Sequence, residues 1–386
     1  MSTVHTAIVG LGYTEFMKRS NRSTLSLAEE ACRKAIEDAG LSSEDVDGVI
    51  SFAMNDSAPT QAVATALGLS APGWMLDWLG GGNVSVAVVG AADAAIRAGL
   101  ATTVVVYRAM NGRSGMRLGG TGQEMTADGS RQYMAPLGWM TYPQHVAMWC
   151  RRHMERYGTS KDALGRIATV TRSHAIRNPR AQQRKPMTLA DYHGSPRIVD
   201  PFNLYDICLE TDGACAVVVT SAERARSLRH RPVGVLSAAY GGRQSPGVDL
   251  DDDLAWPDMS ENFTGAIRER LFGLAGIGPD DVDVAEIYDC FTYSVIMALE
   301  GLGFAKPGEG GDYAQDPSTL TMESSMPVNT HGGLLSEAYI HGLNHVVEAT
   351  EQLRGQAGER QVPDAEIALV TGGAMTVGSG LILAAL

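Results

Sequence analysis

The sequence predicts a layered α/β protein built from two similar halves, with an irregular loop subdomain inserted in the first. Three observations carry this expectation. The segment Ala39-Gly-Leu-Ser-Ser-Glu-Asp45-Val-Asp47 returns 236 residues later as Ala275-Gly-Ile-Gly-Pro-Asp-Asp281-Val-Asp283. Both copies follow an amphipathic helix and lead into a strand, and a constant offset of this kind marks an internal duplication. The stretch Asn83–Arg97 is small and apolar nearly all round, as suits a helix held between layers. Residues 111–200 are more polar and irregular.

The elements follow in order. Thr6–Val9 reads as a strand, and Gly10-Leu11-Gly12 as a turn after it. A helix over about Ser26–Ala39 sets Leu25, Ala28, Cys32 and Ile36 along one face, with Ser23 or Ser26 as its cap. Val46–Phe52 and Thr102–Tyr107 are buried strands, the latter rich in β-branched residues. Within 111–200 one helix stands out, near Gln144–Tyr157, and Ala214–Val219 is again a strand. The second half repeats the plan. Val49–Phe52 corresponds to Ala285–Tyr288, and helices starting near Asn83 and near Tyr339 lead into Thr102–Tyr107 and Ile367–Val370. Met-containing turns follow at Met110 and Met375. The expected division is therefore 1–230 and 231–386, with the loop subdomain at about 111–200. Two central helices in such a stack direct their N-termini toward a shared cleft, where their partial positive charge suits an anion.

The chain has 386 residues and a net charge of −13, which argues against a nucleic-acid reader. One basic run, Arg172, Arg177, Arg180, Arg184 and Lys185, suits either an anionic substrate or a solvated loop. The five cysteines are scattered and form no C-x-x-C pair, as expected of free thiols in a reducing compartment. No apolar run is long enough to span a membrane. A soluble, cytoplasmic protein is expected.

Several motifs fall short. Gly10-x-Gly12-x-x-Glu15 lacks the third glycine of a dinucleotide loop. His341, His345 and Glu348 share a helix face as metal ligands would. Gly342, however, stands where the metalloprotease motif needs Glu, so a packed or solvated pair is expected and no metal. Neither a G-x-S-x-G elbow nor a Walker loop is present.

Four segments together resemble the thiolase superfamily, and most of all its sterol-carrier-protein-x, or lipid-transfer-protein-like, branch. The first is Gly80-Gly81-Gly82-Asn83 with the helix ending Ile96-Arg97-Ala98-Gly99, where the nucleophilic Cys position falls on Gly82. The second is Tyr288-Asp289-Cys290-Phe291-Thr292, matching a His-Asp-Cys-Phe-Ser box with Tyr288 in place of His. The third is Asn329-Thr330-His331-Gly332-Gly333 through Tyr339-Ile340-His341-Gly342, where Tyr339 replaces the catalytic His. The fourth, Val370-Thr371-Gly372-Gly373-Ala374, lacks the second Cys. The resemblance spans essentially the whole chain and implies a thiolase fold with αβαβα layers.

The substitutions are similar to those of the bacterial steroid side-chain-cleaving acyl-CoA aldolases. That resemblance implies retro-aldol cleavage of a bulky β-hydroxyacyl-CoA with Tyr288 and Tyr339 as acid and base, their order unassigned. No covalent acyl-enzyme forms and no cofactor is needed, because CoA belongs to the substrate. The expected substrate contacts are Gly82, Asn83, Cys290, Tyr293, His331 and His341, with Asn83, His331 and His341 as donors to developing charge. Asp206, Cys208 and Asp212 are expected to shape the cleft. The resemblance further implies a homodimer joined by an OB-fold/zinc-ribbon subunit into a heterotetramer, with no nucleic acid and no membrane. Two other readings stand beside it. One is a catalytically silent acyl-CoA-binding scaffold or lipid-transfer protein. The other is a Claisen enzyme using Cys290, although the resembling box keeps this Cys alongside a separate nucleophile.

Overall fold

The computed structural model describes residues 3–115, 131–139, 141–243, 256 and 258–386. Residues 116–130 and 140 of the expected loop subdomain lie outside these. The strands are β1 (Thr6–Tyr13), β2 (Gly48–Ala53), β3 (Trp74–Leu79), β4 (Thr103–Asn111), β5 (Arg197–Val199), β6 (Phe202–Asn203), β7 (Asp212–Ser221), β8 (Val233–Gly242), β9 (Val284–Glu286), β10 (Ile367–Gly372) and β11 (Val377–Ala385). The helices are α1 (Thr24–Asp38), α2 (Thr60–Ala66), α3 (Ala87–Arg97), α4 (Arg131–Met134), α5 (Tyr142–Tyr157), α6 (Lys161–Ile176), α7 (Leu189–His193), α8 (Ala222–Ala225), α9 (Phe263–Ala275), α10 (Thr292–Leu302), α11 (Gly310–Gln315) and α12 (Leu343–Arg354). No helix among the described residues is long and apolar enough to cross a membrane.

Nine strands of the described residues are hydrogen-bonded in the order β3-β2-β4-β7-β1-β8-β11-β10-β9. Reading outward from the middle, β1-β7-β4-β2 and β8-β11-β10-β9 repeat one series of pairings: antiparallel, antiparallel, parallel. The duplication seen in the sequence is thus a duplication of topology. The halves meet where β1 and β8 pair through Ala7–Gly234 and Ile8–Val233. The counterpart of β3 is reduced to a single parallel bridge, Ala285–Val328.

Alternation along the strands sorts side chains into separate cores. Val104, Val106 and Val217 face the same interior as Ala368, Val370 and Leu381, and α3 and α12 fill the space between them. On the other strand face of the first half, Val9, Val105 and Val218 pack under α1. In the second half, Leu369 and Ile382 pack with residues of α9 and α10. Helix, sheet, helix, sheet and helix follow in layers, the expected αβαβα arrangement. α12 is buried along its whole length. α3 is buried over its first turns, whereas Ala94 and Arg97 near its end are exposed. A Cβ on Gly90 of α3 would stand 2.5 Å from the Ala238 Cβ of β8, so this helix is pressed against the second half.

Some expected elements differ. Gly10-Leu11-Gly12 is no turn, because β1 runs through it. A Cβ at Gly10 or Gly12 would come 2.0 Å from the Ala35 or Ala31 carbonyl oxygen of α1; the glycines let helix and strand touch. Met110 lies inside β4 rather than in a turn, and only Met375 follows its strand. The inserted segment holds a second long helix, α6, whose Arg172 and His174 break the apolar pattern yet are buried. The helix expected to begin near Tyr339 starts at Leu343, after a wide turn over Gly333–Glu337. Ser23 does cap α1, its side chain accepting from the Ser26 amide.

Candidate active site

Tyr288 follows β9, and its amide donates to Thr371 Oγ1 at the end of β10 (2.9 Å). Its ring fills the point where the two central helices begin. On one side is Gly82, which opens the turn Gly82–Val84 leading to α3; a Cβ there would lie 1.9 Å from the Tyr288 hydroxyl oxygen. On the other is Gly342, the N-cap of α12 at φ +89°, where a Cβ would come within 2.9 Å of the ring. Gly372 and Gly373 close the floor, since Cβ atoms there would stand 2.2 Å from Ser85 Oγ and 3.1 Å from Asn83 Cα. The four segments picked out in the sequence therefore converge.

The Tyr339 hydroxyl lies 2.9 Å from that of Tyr288, with the rings edge to face at 6.5 Å. Tyr288 is buried and Tyr339 half-buried. Burial pushes both hydroxyls well above the usual tyrosine range. Two influences pull Tyr339 back, the hydrogen bond to Tyr288 and the charge of Arg108. On Tyr288 the charge of an ionised Tyr339 and the same hydrogen bond both act upward. Ionised Cys208 or Cys290 would act upward on Tyr339 as well.

Two polar assemblies flank the pair. The His341 ring lies 5.1 Å from that of Tyr339, and its Nδ1 faces the Arg108 guanidinium at 2.8 and 3.2 Å. Behind Tyr288, His345 stands edge to face with its ring at 6.3 Å, and His331 is perpendicular to His345 at 4.9 Å. His331 Nδ1 is 2.9 Å from Glu286, and His345 Nε2 is 3.4 Å from Asp289. Burial opposes a charge on His331, but Glu337 and Glu286 outweigh it and raise the group to about 9.

The expected contact residues divide accordingly. Gly82 touches Tyr288, and His341 borders Tyr339. Asn83 turns its Oδ1 back onto the Gly81 amide (3.0 Å), and His331 is enclosed by carboxylates. Cys290 is buried, and its thiol is pushed far up by burial and by Asp289. Tyr293 is fully buried on α10, edge to face with His153. Asp206 and Asp212 are held by neighbouring donors. Asp206 gathers Lys161, Tyr192 and Thr292, and Asp212 accepts from Ser20, Arg113 and Ser114.

The trio His341, His345 and Glu348 does not assemble, because Glu348 faces Arg360 and Thr330. Among the described residues, donors of Glu286, His331 and His345 do approach one another, within 4.8 Å. Of the basic run, Arg180 is sequestered by Glu337, Glu348 and Glu351, and Arg172 donates to Ser336. Arg177 pairs with Glu323, leaving Arg184 and Lys185 exposed. Sequence reasoning missed Arg108 and Glu286. Their signal was a lone charge at the end of an apolar strand run, Val104–Ala109 and Val284–Ile287.

These charges predict a bell-shaped stability. His331, raised above its unfolded value, contributes fully below about pH 6.5, and its contribution is lost as pH rises through about 9. That loss is about 3 kcal/mol in order of magnitude. His174, lowered to about 4 by burial, acts oppositely: its contribution is complete above its unfolded value and is lost as pH falls toward 4. Denaturant midpoints are expected to peak near pH 6.5 and fall on both sides; a flat alkaline limb would show that His331 is not held charged.

Comparison with known proteins follows the same lines. The thiolase C-terminal domain-like family model matches residues 256–384. The chain is 40% identical over 389 residues to a steroid side-chain-cleaving aldolase of Thermomonospora curvata, covering 98% of this chain and 97% of that one. It is 41% identical over 384 residues to the 17-hydroxy-3-oxo-4-pregnene-20-carboxyl-CoA lyase of Mycobacterium tuberculosis, covering 98% of each. The solved structure of an Ltp2-ChsH2(DUF35) aldolase superposes with a TM-score of 0.92 at 39% identity, covering 99% of this chain and 98% of that one.

Proposed function

The chain belongs to the thiolase superfamily, in the branch that holds the steroid side-chain-cleaving aldolases, and from that premise we propose that it cleaves a steroid side-chain β-hydroxyacyl-CoA by retro-aldol chemistry. One observation carries the reading: two tyrosine hydroxyls stand 2.9 Å apart at the start of both central helices, one of them occupying the space a Cβ at Gly82 would need. A thiolase nucleophile and Tyr288 exclude each other there.

In the proposed reaction Tyr339, as phenolate, takes the proton of the β-hydroxyl. The Cα–Cβ bond breaks, the carbon bearing the oxygen becomes a ketone, and the bonding pair passes into the thioester enolate. Tyr288 then delivers a proton to Cα, giving a shorter acyl-CoA. One proton is taken and one given, so transfer between the adjacent hydroxyls restores the starting state. No covalent acyl-enzyme and no cofactor enter this sequence. Free thiols and a CoA ester substrate fit a cytoplasmic enzyme. By likeness to the Ltp2-ChsH2(DUF35) aldolase, the working form is proposed to pair a homodimer of this chain with a second, OB-fold/zinc-ribbon subunit.

The direct test is to incubate the protein, together with such a subunit, with 17-hydroxy-3-oxo-4-pregnene-20-carboxyl-CoA, and to follow the steroid ketone and short acyl-CoA. Binding without turnover on a panel of such esters would favour the silent scaffold. Cys290→Ala is expected to keep its rate within about twofold, since a buried thiol held protonated is a poor nucleophile. A loss of roughly 10³-fold there would instead support covalent catalysis.

A further inference from the structure

Arg108 lies at the end of β4 with no solvent exposure, an expensive place for a cation. Its guanidinium donates to Asp56 (2.5 Å) and to the Phe52 carbonyl oxygen (3.0 Å), and it stacks over the Phe52 ring at 5.2 Å. Held this way, it turns both Nε and Nη2 onto a single atom, His341 Nδ1, at 3.2 and 2.8 Å. A guanidinium has donors only. Nδ1 must therefore accept, and the one hydrogen of a neutral imidazole sits on Nε2.

Burial and the Arg108 charge hold His341 neutral by pushing it down to about 3, against the pull of Asp56. Nε2 meanwhile comes 3.3 Å from where a Cβ on Gly81 would stand, next to Gly82 and the tyrosine pair. Among the described residues it makes no hydrogen bond of its own. The backbone of His341 is left-handed, at φ +52°, a conformation a non-glycine residue adopts at a cost.

We propose that Arg108 is a positioning residue that fixes His341 as the Nε2–H tautomer, a donor to the thioester oxygen on which enolate charge develops. This rests on the cleavage reading above. It also assigns work to a residue that no nucleophile or acid–base motif would single out. Because the imidazole stays neutral across the working range, the donor stabilises the enolate without itself taking part in the proton exchange of the two tyrosines.

The tautomer is read on the wild-type protein by ¹⁵N NMR of histidine-labelled chain, with the His341→Gln difference spectrum for assignment. The expected signal has protonated Nε2 and bare Nδ1, unchanged between about pH 5 and 8. A titrating signal, or one with the hydrogen on Nδ1, overturns the proposal. The donor role is read from kcat on 17-hydroxy-3-oxo-4-pregnene-20-carboxyl-CoA. His341→Leu and His341→Gln carry the same strain at φ +52°, but only Gln keeps an N–H. His341→Leu is expected to lose roughly 10²–10³-fold in kcat with little change in KM, and His341→Gln to recover at least about tenfold of it. Equal rates for the two variants, with the wild type active, overturn the donor role and leave the cleavage reading standing. A wild type that does not cleave overturns the cleavage reading and the donor role together.

Discussion

Tyr288→Phe and Tyr339→Phe are each expected to lower kcat by roughly 10²–10⁴-fold while acyl-CoA affinity stays within a few-fold. Each change keeps the ring, which packs against Gly82 and Gly342 or against His341, and removes only the oxygen proposed to move a proton. The lost hydroxyl contact costs about 1 kcal/mol of stability, so the variants are expected to fold. If the two groups act as one proton-passing unit across 2.9 Å, as proposed, the double variant is expected to be little slower than the slower single one. Steady-state cleavage alongside equilibrium binding of a non-cleavable CoA ester separates the two effects. If either Phe variant keeps more than about a tenth of the wild-type rate, its tyrosine is neither acid nor base.

Gly82→Ala is expected to cost roughly 10²-fold or more in kcat, although glycine itself has no side chain to offer. Its new Cβ would lie 1.9 Å from the Tyr288 oxygen and 2.2 Å from the ring carbon bearing it. Gly342 blocks the opposite side, so the ring has nowhere near to go. The resulting shift misplaces the hydroxyl and strains the core by about 1–3 kcal/mol. Gly82→Cys, which puts back a thiol where thiolases carry one, is expected to lose the same activity and to gain no thiolysis. Tyr288 and Tyr339 still occupy the positions of the box residues, and Thr371–Ala374 still lacks a second Cys. Both variants are checked by assaying retro-aldol cleavage and 3-ketoacyl-CoA thiolysis in parallel. Full cleavage by Gly82→Ala would mean that Tyr288 need not sit where it does.

The contrast between these glycine and tyrosine sites marks what was legible. The halves, their repeated strands and the layered plan were open to reading because periodicity and a constant offset are local and survive divergence. Gly82, Tyr288 and Tyr339 stood out because each departs from a box whose neighbours are intact, and the fold brings the three together. The span of β1 was misread, since Gly10 and Gly12 look like turn residues until α1 is laid across them at carbonyl contact. The metal-like spacing of His341, His345 and Glu348 was equally local, and no metal was expected from it; His341 precedes α12, and Glu348 on that helix turns to Arg360.

The chain by itself determined the fold, the duplicated topology and which positions had exchanged a thiolase side chain for another. Tertiary structure alone decided that the two tyrosine hydroxyls touch, which donors Asp206 and Asp212 accept from, and that Arg108 faces His341. Those facts depend on pairs of residues separated by 51 positions for the tyrosines and 233 for Arg108 and His341. Helix and strand signals act within a few residues, whereas a proton path or a fixed tautomer depends on distances set by how whole layers stack.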